Sequence, residues 1–494
     1  MLDSRIPAVR RRVVNRQPLR PERAYVVYWM IAARRLTANY ALERAVELAR
    51  RLKRPLIVFE PLRVDYPWAS DRVHRFVLDG MREHRDRLRD TRALYYPWVE
   101  RSPGAGKGLL AALARQAAAV VTDEYPAFFL PAMVESAGRQ LDVLLEAVDA
   151  NGLLPLRAAD RAYPTAHAFR RALHRLLPDA LSAPPANHPM QGAPLPAGSL
   201  PGEVLGRWTP ADDDLLVGEP GALARLPLDH DVRPVGVGGA EAGRQRLSAW
   251  LEDGFDRFAA DRNQPLSGAA SGLSPWLHFG HLGVWEVFRA VAEREAWHPA
   301  RLGKPTGARA GWWGMGENAE AFLDELVSWR EVGFNGASWQ PGTWDGWASL
   351  PDWARRTLEN HGADRREWTY DLRTLRDGAT HDDLWNAAQR QLMGQGTIEG
   401  YLRMLWGKKI LEWTPSPHRA IEIMVELNNR FALDGRDPSS WSGILWCLGK
   451  YDRAWGPERP VYGTVRYMSS QSTRRKLKLA RYLEKWGNAV ETGR

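Results

Sequence analysis

The apolar pattern of this chain changes period once, and that change limits its folds more than any single motif does. Up to about residue 122, short β-branched and aromatic runs alternate with amphipathic segments. Residues 24–29 (AYVVYW), 55–59, 93–99 and 118–122 read as buried strands, and 39–52, 70–88 and 109–116 as helices. Such alternation predicts a parallel, doubly wound, Rossmann-like sheet with ligands at the carboxyl ends of its strands. From 178 to 239 Pro, Gly, Ala and Asp dominate, which predicts a long linker draped over the surface. Beyond 240 strands nearly vanish, and 244–260, 285–295, 319–332, 352–359 and 420–431 read as helices. The expected organisation is an α/β domain over 1–177, a linker over 178–239 and an all-α domain over 240–494.

Other features bound the function. A net charge of +9 favours a polyanionic partner. The single cysteine, Cys447, excludes intramolecular disulfides and Cys-rich zinc sites and fits a reducing cytoplasm. No apolar run reaches membrane-spanning length, so no membrane partner is expected. The N-terminus is basic (Arg5, Arg10, Arg11, Arg12) but lacks the apolar core of a secretion signal. SPGAGKG at 102–108 fails as a phosphate loop, because its glycine spacing is wrong and no Ser or Thr follows Lys107; it reads as a flexible turn. His278 and His281 are three apart with no third ligand nearby, so no metal is assigned.

The most informative stretch is 380–413, THDDLWNAAQRQLMGQGTIEGYLRMLWGKKILEW. It predicts two helices with a glycine-broken joint. Thr380, with Asp383 three residues on, reads as the first cap. Gly394 and Gly396 stop that helix, Thr397 caps the second, and Thr414-Pro415 ends it. Trp406 and Trp413 are seven residues apart, hence on one face about 10 Å apart along the axis. Indoles this large are ordinarily core, so function needs partners from elsewhere in the chain.

Several stretches supply them. LSPWLHFG (273–280), FLDELVSWRE (322–331), THDDLWNAAQ (380–389), YLRMLWGKKILEW (401–413), LDGRDP (433–438), DRAWG (452–456) and VRYMSS (465–470), with YWM at 28–30, resemble the class II cyclobutane pyrimidine dimer photolyases of the photolyase–cryptochrome superfamily. The resemblance spans nearly the whole chain and is faint at 178–240 and 299–317. It implies an α/β antenna domain, a connector and a helical domain holding bent FAD, active as FADH⁻. It also implies that Ser271, Leu273 and Ser274 hold the FAD diphosphate. The residues alone fit equally an ordinary N-cap at Ser274 with Pro275 at the first helical position.

The resemblance further implies an Arg403–Asp434 pair beside the isoalloxazine, where a fixed cation favours the anionic flavin, and Asn428 at flavin N5. Without it, these read as a structural salt bridge and a helix-surface Asn. Glu325 and Trp329, four apart on one helix face, would meet the pyrimidine dimer. Met404 and Trp446 would complete an apolar slot for it, with Tyr370 near the lesion or the electron path. Trp385, Trp406 and Trp413 match the class II relay that reduces FAD with light; the seven-residue step supplies one close pair and folding the other. Arg262, Asn263 and Arg453 match positions near the DNA, and Arg466, Arg474, Arg475, Lys476 and Lys478 form a basic run that suits phosphates or a solvated helix face.

Three departures stand out: Phe258 replaces a Tyr usual near the flavin phosphates, the turn GFNGASWQPGTW (333–344) differs from the usual class II sequence after the active-site helix, and 303–316 reads as an extra loop on the substrate side. The implied function is light-driven repair of cyclobutane pyrimidine dimers in DNA by a cytoplasmic, DNA-associated monomer. The resemblance also suggests a deazaflavin antenna. The alternatives are a cryptochrome-like flavin photoreceptor without repair and a basic DNA-binding protein whose Trp residues are core.

Overall fold

A computed structural model describes residues 4–487. The chain forms two compact units, one of Met1–Asp160, Leu176–Gln245 and Leu273–Arg294, the other of Arg161–Arg175, Arg246–Gly272 and Glu295–Arg494.

The first unit is built on a six-stranded sheet. Its strands are β1 (Arg11–Val13), β2 (Tyr25–Trp29), β3 (Leu56–Leu62), β4 (Leu94–Val99), β5 (Ala117–Glu124) and β6 (Leu145–Asp149). They lie in the order β1-β6-β5-β2-β3-β4. All neighbours are parallel except β1, which runs antiparallel to β6. The doubly wound sheet expected from the alternation is present, and β2, β5 and β6 are buried along nearly their whole length, as strands covered on both faces must be. Two strands escaped the pattern. β6 carries a Glu and an Asp within its five residues, Leu145–Asp149, which breaks up its apolar run. β1 is Arg-Arg-Val, too polar to read as a strand; its Arg11 and Arg12 pair with Glu146 and Glu124. Arg10, just before it, is buried and donates to the carbonyls of Gly152 and Leu153. The basic N-terminus thus closes a sheet edge.

The sheet order reverses beside β2, and one carboxylate organises the backbone there. Asp123, at the carboxyl end of β5, accepts N–H bonds from Ile31, Ala32 and Ala33 at 2.8, 2.7 and 2.9 Å, and the Tyr28 hydroxyl at 2.7 Å. The same loop meets the end of the LSPWLHFG motif. Gly280 has φ +71°, and a Cβ there would stand 1.9 Å from the Ala32 carbonyl oxygen. Gly280→Ala is therefore expected to cost at least about 2 kcal/mol, since both left-handed strain and a backbone clash must be relieved. A urea denaturation midpoint equal to wild type would refute this.

The 178–239 stretch differs from the loose connector expected. Val204 and Trp208 enter the core of the sheet, and Leu215, Leu216 and Leu226 enter a second apolar cluster of the same unit. Val204, Leu215 and Leu216 sit in very short helices, Gly202–Arg207 and Asp213–Val217, too short to show a period, and Trp208 and Leu226 each directly follow a short helical turn.

Every described residue in a named strand belongs to the first unit; the second is helical. Phe258 is in its core, edge-on to Trp250 and Phe322. Among the described residues no helix is long and apolar enough to cross a membrane.

Candidate functional site

The two helices of the 380–413 stretch are Asp383–Gln395 and Gly400–Trp413. Their caps differ from those expected. Asp382, not Thr380, caps the first, accepting from Leu384 and Trp385 N–H; Thr380 instead donates to the Asn386 side chain. Gly396, at φ +70°, ends this helix, while Gly394 lies within its last turn against Trp486. Glu399, not Thr397, precedes the second helix, with no side-chain cap. A carboxylate cap two residues along outcompetes a hydroxyl, and cap choice by sequence is uncertain by that margin.

The three tryptophans converge. Trp385 and Trp406 stack with centroids 6.5 Å apart and planes 3° apart. Trp385 and Trp413 meet edge to face at 5.5 Å and 71°. Trp385 is therefore the middle ring, and the seven-residue step from Trp406 to Trp413, expected to be one close pair, is bridged by it. Its indole N–H donates to the Trp406 carbonyl at 3.0 Å, and the Trp406 indole donates to Gln389 Oε1 at 2.9 Å. Both bonds fix the rings against rotation. Beyond Trp413 lie Tyr370, at 5.5 Å, and His381, at 5.3 Å, which share a 2.7 Å hydrogen bond between the phenol and Nδ1.

Arg403, one turn before Trp406, pairs with Asp434 at 3.0 Å. Asn428 is buried, and its Nδ2 donates to Ser440 Oγ at 2.7 Å, which leaves its carbonyl oxygen as the group to offer a guest. Next to it Asn429 Nδ2 is buried without a partner. An Arg–carboxylate pair, an amide with an open acceptor and an orphaned donor suit a polar heteroaromatic ligand such as flavin. The expected diphosphate residues divide between the units. Ser271, in the second, accepts from Arg246 Nε through its carbonyl at 2.7 Å. Leu273 and Ser274 are in the first. The N-cap reading of Ser274 fails, because Leu273 takes that position with no side-chain cap and Ser274 is the first helical residue.

The expected single helix over 319–332 is Glu317–Leu323 and Arg330–Trp339 joined by a π-helical turn, Asp324–Trp329, and the turn expected over 333–344 is helical as far as Trp339. Glu325 and Trp329 both lie on that turn, a distortion that gathers at functional sites. Asp324 is held by Arg170 through two bonds of 2.6 and 3.0 Å. Arg262 Nε stands 3.9 Å from Glu325 Oε1. Half the Glu325 side chain is open to solvent, and protein surrounds the rest. Desolvation there, with Asp324 adjacent, raises its pKa against the pull of Arg262 and Arg309. Asn263 is half-buried beside Arg262, and exposed Arg453 lies over Trp455 at 4.5 Å. The basic run is partly spent internally, Arg466 on Asp452 and Arg474 on Asp383. Met404 and Trp446 are each half-buried, and Cys447, next to Trp446, directs its thiol at the Met404 carbonyl.

Lys408 was not legible in the sequence. It is fully buried, donates to the Cys447 carbonyl at 2.7 Å, and places Nζ 5.1 Å from the Trp446 ring centre, with Arg466 at 5.4 Å from the same ring. Burial pushes its pKa down to about 8. An unfolded lysine titrates near 10.4, so between those values the unfolded chain holds the extra proton and stability rises with pH. Wild type is expected to gain more in urea midpoint from pH 8 to 9 than Lys408→Met; equal gains would refute the assignment. The helical period around Lys408 marks it as core, and that was its only signal.

The 303–316 stretch is anchored by Trp312, which stacks on His174 at 4.2 Å and 3°, while 308–311 stay exposed. His281 is buried and its Nδ1 accepts from Gly239 N–H at 2.9 Å; among the described residues no group of three or more ligating side chains is gathered for a metal.

A parallel-sheet unit followed by a helical unit carrying this constellation defines the photolyase–cryptochrome class. Solved structures agree in fold: a cryptochrome from Synechocystis (TM-score 0.66, 16% identity, 94% of this chain and 88% of that one) and a class III photolyase from Agrobacterium tumefaciens (TM-score 0.61, 17% identity, 87% and 80%). No protein-family model matches the chain. It is 36% identical over 464 residues to a deoxyribodipyrimidine photo-lyase of Methanothermobacter thermautotrophicus, covering 94% of both chains, and 32% identical to one of Arabidopsis thaliana, covering 94% of this chain and 90% of that one. The chain belongs to the deoxyribodipyrimidine photo-lyase family of enzymes.

Proposed function

We propose that this enzyme repairs cyclobutane pyrimidine dimers in DNA with light, acting as a monomer on a lesion flipped out of the duplex. The observation that carries the reading is the Glu325 corner: a carboxyl of raised pKa on a π turn with Trp329, faced by Arg262. Reduced FAD, when bound, supplies the light-absorbing one-electron donor. The chain's own residues do the rest. Arg403 and Asp434 set a charge beside the ring, and Asn428, its amide nitrogen held by Ser440, presents an oxygen. Glu325 in its protonated form donates to a pyrimidine carbonyl and steadies the negative charge that the dimer acquires, while Trp329, Met404 and Trp446 exclude water around two unstacked bases. Flipping costs a few kcal/mol, least for a base that already pairs and stacks badly. Arg262, Asn263 and Arg453 meet the backbone, so affinity should fall with salt. Trp406, Trp385 and Trp413 carry an electron inward when the cofactor must be re-reduced.

Illumination of ultraviolet-damaged DNA with the reduced enzyme should remove its cyclobutane dimers; persistence of the dimers under light would reject the proposal. In the first unit, Tyr66, Trp68, Phe128 and Phe129 are half-exposed and in mutual ring contact after β3 and β5. They support a planar antenna of the deazaflavin type at the strands' carboxyl ends.

A further inference from the structure

The relay has an outer end, and the second unit has a cavity there. A pocket of about 210 Å³ is lined by Trp413 together with Trp368, Tyr467, Arg365, Arg366 and Arg459. It is smaller than the roughly 300–1,000 Å³ of drug-sized sites, so it suits a small molecule. Trp413 itself is only 2% exposed, so the pocket wall is its opening to the outside. Trp368 and Tyr467 are 45% and 38% exposed, and each is backed by another ring, Trp368 by His381 at 4.6 Å and Tyr467 by Tyr462 at 5.0 Å.

The charge of the pocket is cationic. Of its two carboxylates, Glu412 is taken up by Lys409 Nζ at 2.8 Å and the Tyr462 hydroxyl at 3.0 Å. Glu367 stands alone against three guanidinium groups. Arg459 lies over the Tyr467 ring at 4.8 Å, which leaves its N–H edge for another partner. Arg366 spends N–H groups on the carbonyls of Gly362 and Asp364, but its Nη2 is buried with no partner. Arg365 and Arg459, both exposed, are the guanidinium groups that an anion in the pocket can reach, since the Arg366 Nη2 is closed off from solvent.

Resting on the proposed photoreduction, we infer that this pocket docks a small, planar, oxygen-rich monoanion of the enediolate class, which returns an electron to Trp413. Light drives one electron from Trp413 through Trp385 and Trp406 toward the cofactor. Trp413 is then one electron short, as the indole radical cation or, once its N–H proton has passed to solvent, as the neutral radical. The enediolate gives one electron to Trp413, and a proton where the indole has lost one. The indole is restored and the donor becomes its one-electron-oxidised radical, two of which disproportionate to one reduced and one fully oxidised molecule.

Ascorbate is the probe, with neutral dithiothreitol as control, and Arg365→Glu/Arg459→Glu as the variant. Both arginines line the pocket and are exposed, and Arg366, which holds backbone carbonyls, is left intact. Dark titration of the holoenzyme with ascorbate, read by calorimetry, should show saturable binding that the variant loses. After a flash, decay of the tryptophan radical absorbance should accelerate with ascorbate to a plateau. In the variant the acceleration at sub-saturating ascorbate should fall about tenfold, the equivalent of about 1.4 kcal/mol, while the dithiothreitol rate stays unchanged. No saturable dark binding, or equal ascorbate rates in both proteins, overturns the pocket assignment. A flash that yields no tryptophan radical overturns the photoreduction reading instead, whatever the titration shows.

Discussion

Trp385→Phe is expected to abolish light-driven reduction of the cofactor while leaving dimer repair by chemically reduced enzyme near its wild-type rate. Trp385 touches both other rings, at 6.5 and 5.5 Å, so its loss breaks both steps of the path at once. A phenyl ring fills most of the space but is far harder to oxidise than indole. Raising a transfer barrier by even about 3 kcal/mol slows it more than a hundredfold. Trp385 is wholly buried, and the variant also loses the N–H bond to the Trp406 carbonyl, so about 1–3 kcal/mol of stability should go with it. Photoreduction followed by absorbance, beside repair assayed with dithionite-reduced enzyme, separates these effects. If both activities fell together, Trp385 would be a structural residue and the relay would lose its centre. Trp406→Phe should give the same separation.

Glu325→Ala is expected to do the reverse, cutting repair by about tenfold to a hundredfold and sparing photoreduction. That range is the worth of one hydrogen bond to a charged group, about 1.5–3 kcal/mol, expressed as a rate. Glu325 is not part of the ring path, so photoreduction has no reason to change. Its pH behaviour adds a check that a bulk structural role would not pass. Burial and Asp324 raise its pKa above the ordinary carboxyl value. The proton that donates to a pyrimidine carbonyl is therefore kept to higher pH, and is lost as pH rises through the raised value. Repair should fall along that alkaline limb in wild type, and Glu325→Gln, whose amide donates at every pH, should flatten it. An identical pH profile in wild type and Glu325→Gln would remove the carboxyl from the mechanism.

The depth to which the chain could be read without coordinates differs from element to element. The strand at Tyr25–Trp29 and the helices capped by Asn39 and Ser70 follow from local patterns, and they are present. The Arg-Arg-Val edge strand does not, because its stabilisation comes from Glu146 and Glu124, far along the chain. Asp382 in place of Thr380 as cap is a local competition settled by one hydroxyl finding Asn386. The π turn at Asp324–Trp329 could not be read, because its wider i to i+5 spacing interrupts the helical period that the pattern relies on.

By itself the sequence determined where strands give way to helices, because side-chain period is set by the φ and ψ of adjacent residues and needs no distant partner. It also determined the class of chemistry, through motifs whose residue types are rarely combined. Tertiary structure alone decided that Trp385 stands between Trp406 and Trp413 and that Lys408 lies against Trp446. Those are contacts between helices, such as the bond linking residues 21 apart in the chain, and no local rule specifies which faces of two helices will meet.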